Sequence, residues 1–251
     1  MNIDDVKKLE NAAAAKYRLL STDFVQYLFR AIMAGFFIDM AMIFSNVVTN
    51  VFRGSAPEWG RLLAAIAFSI AVLLICLVGG ELFTGNNLVL AFGAYRKSVT
   101  LPQVGLVWLV SYLGNFIGCF ILSVLFVLSG ASGTGEYYGA FIPGKLALPA
   151  GEMFFRAVLC NFFVCMGVLC GIKLQNEVAK ILMICFCISA FVISGFEHSI
   201  ANMGNYVVAF FLVPGLSILD ILRSMAIVTA GNIVGGGLLL AWPLHKMSAV
   251  N

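Results

Sequence analysis

Phe196-Glu197-His198-Ser199-Ile200-Ala201 cuts into an apolar run that fills 181–195 before it and 207–216 after it. An ionisable side chain inside such a run is costly in a bilayer and marks a functional position. A second interruption, Gly79-Gly80-Glu81-Leu82-Phe83-Thr84-Gly85-Asn86-Asn87, stands in another apolar run. Laid over each other, the two share a pattern: Glu81 falls on Glu197, Gly85 on Ala201 and Asn86 on Asn202. The chain is built around these two breaks.

The repetition continues outward. Phe29-Arg30-Ala31-Ile32-Met33-Ala34-Gly35-Phe36-Phe37 matches Phe155-Arg156-Ala157-Val158-Leu159-Cys160-Asn161-Phe162-Phe163, and Gly114-Asn115-Phe116-Ile117-Gly118 matches Gly231-Asn232-Ile233-Val234-Gly235. Apolar stretches place spans at 27–51, 62–78 (resumed at 88–94), 104–128, 153–172, 181–194 (resumed at 207–213, before Pro214) and 218–242. Unbroken, each approaches the roughly 20 residues that cross a bilayer. Span one repeats as four, two as five and three as six. A three-span unit is odd, so its second copy enters the membrane upside down. The expected fold is an all-α membrane protein of six transmembrane helices in two inverted three-helix repeats, about 27–129 and 153–242, with spans two and five broken. Such repeats place a permeation site near the midplane. Non-helical backbone survives there only when buried in protein or lining a cavity. Gly114/Gly118 and Gly231/Gly235 read as close-packing faces.

Composition agrees. Of 251 residues, 61% are hydrophobic and 11% charged, against about 25% charged in soluble domains. A net charge of +3 is too small to suggest nucleic acid as a partner. Residues 1–25 read as a charged amphipathic helix on the cytoplasmic face, ahead of a single transmembrane domain over 26–251; no apolar h-region follows the first charges, which argues against a cleaved signal peptide. The seven cysteines lie in apolar segments without a C-x-x-C pair, so they read as reduced core residues, with no metal or cofactor expected. Lys7, Lys8, Lys16, Arg18, Arg96, Lys97, Lys173, Lys180 and Lys246 outnumber Arg53, Arg61, Lys145, Arg156 and Arg223 on the opposite side, which puts both termini in the cytoplasm.

After each break a half-helix is expected, beginning near Asn87 and near Met203, with unpartnered amides and the positive end of its dipole at the pore centre. His198 can donate a hydrogen bond when neutral and pass a proton when charged. Thr84 offers a hydroxyl in the matching break. Glu81 and Glu197 read as structural acceptors of hydrogen bonds from loop amides. Lys145, in Pro143-Gly144-Lys145-Leu146, can draw anions to an outer mouth if its loop folds in. Phe68, Val72, Leu82 and Phe191 flank the breaks, where they are expected to form dry constrictions. Asp39, opposite Cys165 in the repeat, has no assigned role.

With Arg30-Ala31-Ile32-Met33-Ala34-Gly35-Phe36, Gly80-Glu81-Leu82-Phe83-Thr84-Gly85-Asn86, Leu159-Cys160-Asn161 and 195–203, the chain resembles the formate/nitrite transporter family over about 24–242. The resemblance implies an aquaporin-like fold, a homopentamer with a pore through each subunit, a bacterial cytoplasmic membrane and small monovalent anions of weak acids as cargo. It implies pore-centre and selectivity roles for Thr84, Lys145, Asn161, Glu197 and His198, and constriction roles for Phe68, Val72, Leu82, Phe83 and Phe191. Overall similarity points to hydrosulfide-conducting members, with formate and nitrite as further permeants. Asp39 departs from the small or apolar residue of the family pattern. Three other classes compete. A water or glycerol channel carries Asn-Pro-Ala at its breaks, where this chain has Gly85-Asn86-Asn87 and Ala201-Asn202-Met203. An intramembrane hydrolase using Ser194 or Ser199 with His198 lacks a G-x-S-G elbow and an orienting carboxylate, so no enzyme is expected. A proton-coupled formate or nitrite transporter fits the same residues as a channel, and proton flux separates the two.

Overall fold

Asparagine, aspartate and threonine each stand one residue ahead of a helix and start it. Asn2 Oδ1 accepts from Asp5 N–H and opens α1 (Ile3–Thr22); Asp23 Oδ1 accepts from Gln26 N–H and opens α2 (Phe24–Phe52). The computed structural model describes residues 1–131 and 133–248, and they are helical nearly throughout. Pro57 enters α3 (Pro57–Phe68), which runs through α4 (Ile70–Leu74) into a π-helical turn, Ile75–Gly79. Then come α5 (Phe83–Tyr95), α6 (Leu101–Leu128, behind a Thr100/Gln103 capping box), α7 (Gly135–Leu146), α8 (Ala150–Lys173), α9 (Glu177–Ile193) and α10 (Ser199–Leu212). The chain ends in α11 (Ile218–Ile233), a π-helical stretch Val234–Ala241, and α12 (Trp242–Met247).

Among the described residues, five helical segments are long and apolar enough to cross a membrane: Phe24–Phe52, Pro57–Gly79, Leu101–Leu128, Ala150–Lys173 and Ile218–Met247. The distribution of side chains is that of a protein in lipid. Phe29, Met40, Phe44, Leu109, Leu113, Phe116, Phe120 and Phe186 face outward, while Asn86, Asn87, Asn115, Asn161, Asn202 and Asn232 are buried. An unpaired amide end is costly inside such a bundle, and Asn87 Nδ2 is left without a partner among the described residues.

Neither segment carrying the polar motifs is a continuous helix. The first halves end alike: Gly79 and Gly195 adopt left-handed backbone (φ +95° and +69°), and the next amide reaches back five residues, Gly80 N–H to Ile75 O (3.0 Å) and Phe196 N–H to Phe191 O (3.2 Å). This is the glycine-terminated helix end, which an L side chain at either position would strain. Residues 80–82 and 196–198 then run outside helix, and α5 and α10 begin. Both start four residues sooner than the sequence suggests, at Phe83 rather than near Asn87 and at Ser199 rather than near Met203.

The reason is a pair of asparagines on other helices. Asn115 Oδ1 accepts from Phe83 N–H (2.9 Å), and its amide donates to Ala31 O (2.8 Å) and Glu81 O (3.0 Å). Asn232 does the same with Ser199 N–H (2.9 Å), Ala157 O (2.8 Å) and Glu197 O (2.9 Å). With the first amide and the preceding carbonyl satisfied, the helix closes at once, and Thr84, Asn86 and Asn87 fold within it. The neighbouring glycines allow this approach. A Cβ on Gly114 would press on Ala31, one on Gly118 on Ile32 O, one on Gly231 on Ala157 and one on Gly235 on Val158 O.

Helix α1 buries Val6, Leu9, Ala13 and Leu20 and lies across one face of the bundle. Ion pairs hold it there: Asp5–Lys173 (2.9 Å), Glu10–Arg96 (2.7 Å) and Lys16–Glu81 (2.7 Å). Met1 N donates to Met247 O (3.2 Å), so the start of α1 meets α12 on this face. Helix α7 lies at the far end of α2, where Tyr138 meets Asn46.

Candidate functional site

The glutamates of the two breaks are not served by loop amides as expected. Their partners are side chains, because the extended backbone aims each carboxylate at the helix lying over it. Glu197 Oε2 accepts from Lys145 Nζ (2.5 Å) and Asn202 Nδ2 (2.9 Å). Glu81 Oε2 accepts from Lys16 Nζ (2.7 Å), Asn86 Nδ2 (3.1 Å) and Tyr27 OH (3.3 Å). Each break therefore carries a lysine–glutamate–asparagine set, one under α7 and one under α1. Charge is neutralised locally in both, which an ion pair taken from water requires.

Between the sets the two half-helices meet. Thr84, on the first turn of α5, places Oγ1 3.0 Å from His198 Nε2, just ahead of α10. His198 Nδ1 accepts from Ala201 N–H (3.1 Å) and so caps α10. That bond fixes the tautomer. Nδ1 holds a lone pair, the ring hydrogen is on Nε2, and it donates to Thr84 Oγ1. Thr84 keeps its own hydroxyl hydrogen for another acceptor. A cationic imidazolium needs a hydrogen on Nδ1 and would expel the Ala201 amide. His198 is thereby set up as a neutral donor, with protonation opposed by its capping bond.

A cavity of about 570 Å³ leads from the α7 side down to His198. Lys145, Arg61 and Arg156 face it together with one carboxylate, Glu197, and its walls also carry Asn46, Asn202 and Asn205. At its floor Phe68 and Phe191 stand edge to face (centroids 5.8 Å apart), and Phe191 stacks on the His198 ring (5.9 Å). Lys145 sits over the Phe141 ring at 5.6 Å.

Lys145, Glu197, His198, Phe68 and Phe191 thus share the cavity. Thr84 joins through His198 but is fully buried. Val72, Leu82 and Phe83 belong to the buried apolar cluster that contains Phe68 and Phe191 and do not line the cavity. Phe83 packs against Tyr112 and Trp108 of α6. Asn161 lies behind α5, where its amide donates to Thr84 O (3.2 Å), Asn87 Oδ1 (3.0 Å) and Asn232 O (2.7 Å) and holds Thr84 in place.

Sequence reasoning missed Lys16, Arg61, Asn115 and Asn232. The asparagines were visible as the one polar residue in each repeated glycine motif. Lys16 was hidden because it and Lys145 stand at different distances from the matched Arg30 and Arg156.

The family model described as Formate/nitrite transporter matches residues 4–246. The uncharacterized transporter YwcJ of Bacillus subtilis (strain 168) is 29% identical over 253 residues, covering 99% of this chain and 99% of YwcJ. A solved structure described as an FNT family ion channel superposes with a TM-score of 0.91 at 25% identity, over 98% of this chain and 99% of that one. A pentameric formate channel with formate bound superposes with a TM-score of 0.80 at 28% identity, over 88% and 96%.

Proposed function

The chain belongs to the formate/nitrite transporter family, whose members are membrane channels and transporters and not enzymes, and we propose that it is a channel for small monovalent anions of weak acids. Hydrosulfide is its foremost permeant, with formate and nitrite also carried. The observation that carries this reading is the contact of Thr84 Oγ1 and His198 Nε2 at 3.0 Å beyond a cation-lined cavity. Cations gather an anion at the mouth, and the centre offers it neutral donors between phenylalanine rings. Hydrosulfide suits that centre because sulfur tolerates apolar surroundings and makes weak hydrogen bonds.

The reading includes six crossings in two inverted repeats: α2, α3 to α5, α6, α8, α9 with α10, and α11 with α12. The matched bonds of Asn115 and Asn232 support it. The apolar outer faces of α2 and α6, and the likeness to a pentameric formate channel, support assembly as a pentamer. The likeness to a transporter of Bacillus subtilis supports a bacterial cytoplasmic membrane, and the Lys and Arg distribution supports both termini inside.

The test is flux through purified protein in liposomes, one anion at a time at one pH. Hydrosulfide, formate and nitrite should each pass faster than chloride, hydrosulfide fastest. Chloride passing as fast as the three would remove the weak-acid reading, and formate leading hydrosulfide would remove the ranking.

A further inference from the structure

Helix α6 joins α2 to α10 by two rungs one helical turn apart. Cys119 Sγ lies between Gly35 O (3.5 Å) on α2 and Ile200 O (3.6 Å) on α10. Ser123 Oγ lies between Asp39 Oδ2 (2.9 Å) and Gly204 O (3.3 Å). Asp39 is fully buried, and its other oxygen, Oδ1, has no hydrogen-bond partner among the described residues. That oxygen fills the place where residue 204 would carry a side chain; a Cβ on Gly204 would collide with it. The titratable groups facing Asp39 are the Cys119 thiol from α6 and the Tyr138 phenol from α7, while α10 brings only backbone. No cation pairs with it among the described residues.

Counting hydrogens decides the state of the rung. A serine hydroxyl has one hydrogen. A carboxylate at Asp39 would claim it, leave the Gly204 carbonyl without Ser123, and place an uncompensated charge in the membrane interior. A carboxylic acid resolves all three difficulties: Asp39 donates to Ser123 Oγ, and Ser123 donates to Gly204 O. We propose that Asp39 is a resident proton-binding site whose bound proton, exchanged with water, seats α10, the half-helix capped by His198, on α2 and α6. Loss of the proton turns Ser123 away from Gly204 and loosens that seat. The site stands whichever anion the protein carries.

Infrared spectroscopy of the protein in liposomes tests it without a transport assay. A protonated-carboxyl carbonyl band should be present at neutral pH, vanish in Asp39→Asn, shift in Ser123→Ala, and fade from the wild type as pH is raised. Absence of any Asp39-dependent band at neutral pH overturns the site. The seat is read separately. Asp39→Asn, whose amide can still donate to Ser123, should match wild-type formate flux at neutral pH and exceed it once the wild-type band has faded. A flux ratio that stays flat across that pH range overturns the coupling to α10. Should Asp39→Asn fail to fold, the fading of the wild-type band and its shift in Ser123→Ala still decide the proton.

Discussion

His198 makes one bond with each ring nitrogen, and together they limit its chemistry. Nδ1 is occupied by the Ala201 amide and Nε2 by Thr84, so the ring presents a hydrogen without having a proton to spare. Asparagine is a good helix cap; His198→Asn should keep α10 capped and the protein stable, while the Thr84 bond is lost and the ranking of anions changes. His198→Ala also loses the cap and should cost about 1 kcal/mol of stability, read as a lower midpoint of thermal unfolding in detergent. A drop as large in His198→Asn would mean that the histidine matters for packing rather than for capping. Lys145 is similarly constrained by its partner. Bound to Glu197, it adds little net charge of its own, and Arg61 and Arg156 share the mouth. Removing it exposes a carboxylate to the incoming anion. Lys145→Ala should therefore lower flux most at low ionic strength, where screening is weakest, and Lys145→Ala with Glu197→Gln should recover part of the loss. A double variant as poor as the single one would assign Lys145 a direct role in binding the permeant.

Each break is a small module made of parts from several elements. A left-handed glycine ends the first half-helix, an asparagine from another helix starts the second, and a lysine from α1 or α7 neutralises the glutamate between them. Asn115→Ala would strand Phe83 N–H and the carbonyls of Ala31 and Glu81, and Asn232→Ala their counterparts at Ser199, Ala157 and Glu197. Each buried group left unpaired costs about 1–3 kcal/mol. Both variants should lower thermal stability by similar amounts and leave far less protein extractable as a single species; a neutral Asn115→Ala would show that the first break is held by other means. Much of this element was legible in the sequence. Glycine, glutamate and asparagine at matched positions in two apolar runs located both interruptions, because polar groups in lipid have few other reasons to be there. The four-residue error in where α5 and α10 begin arose because capping by a side chain from another helix leaves no local trace. Lys145 was legible as a cation for the outer mouth but not as the partner of Glu197, and the Lys16–Glu81 pair depends on how α1 lies across the bundle, which amphipathic spacing does not specify. Phe83 and Asn161 entered through family resemblance, and the structure places both behind the cavity wall.

For the molecule as a whole, the question is how a charge passes from the cation-lined cavity into a neutral, apolar centre. A bare anion between Phe68 and Phe191 loses several kcal/mol of hydration even after the protein relaxes, and one Nε2 hydrogen with one hydroxyl returns only part of it. Desolvation favours the neutral form of a weak acid, so an anion that can take up a proton at the cavity floor crosses uncharged, which chloride cannot do at any ordinary pH. The structure narrows the source of that proton. His198 would have to break its cap to become an acid, and the Glu197 oxygen that faces Lys145 and Asn202 is occupied by both. Asp39 holds its proton away from the cavity, on Ser123, so water entering the cavity is the remaining donor. Flux of formate or hydrosulfide should then rise as pH falls toward the permeant's own pKa, by up to about tenfold per pH unit while the anion dominates, following the neutral fraction, and each crossing should move a proton with it, so proton flux alone does not separate such a channel from a proton-coupled transporter. Because the donor is water, His198→Asn should change the size of the flux and the ranking of permeants but keep the slope against pH. Stopped-flow measurement of internal pH in liposomes, with formate, hydrosulfide and chloride in turn, reads slope and proton movement together. A slope that flattens in His198→Asn would return the proton to the histidine, and formate flux that ignores pH in the wild type would leave an ordinary anion pore.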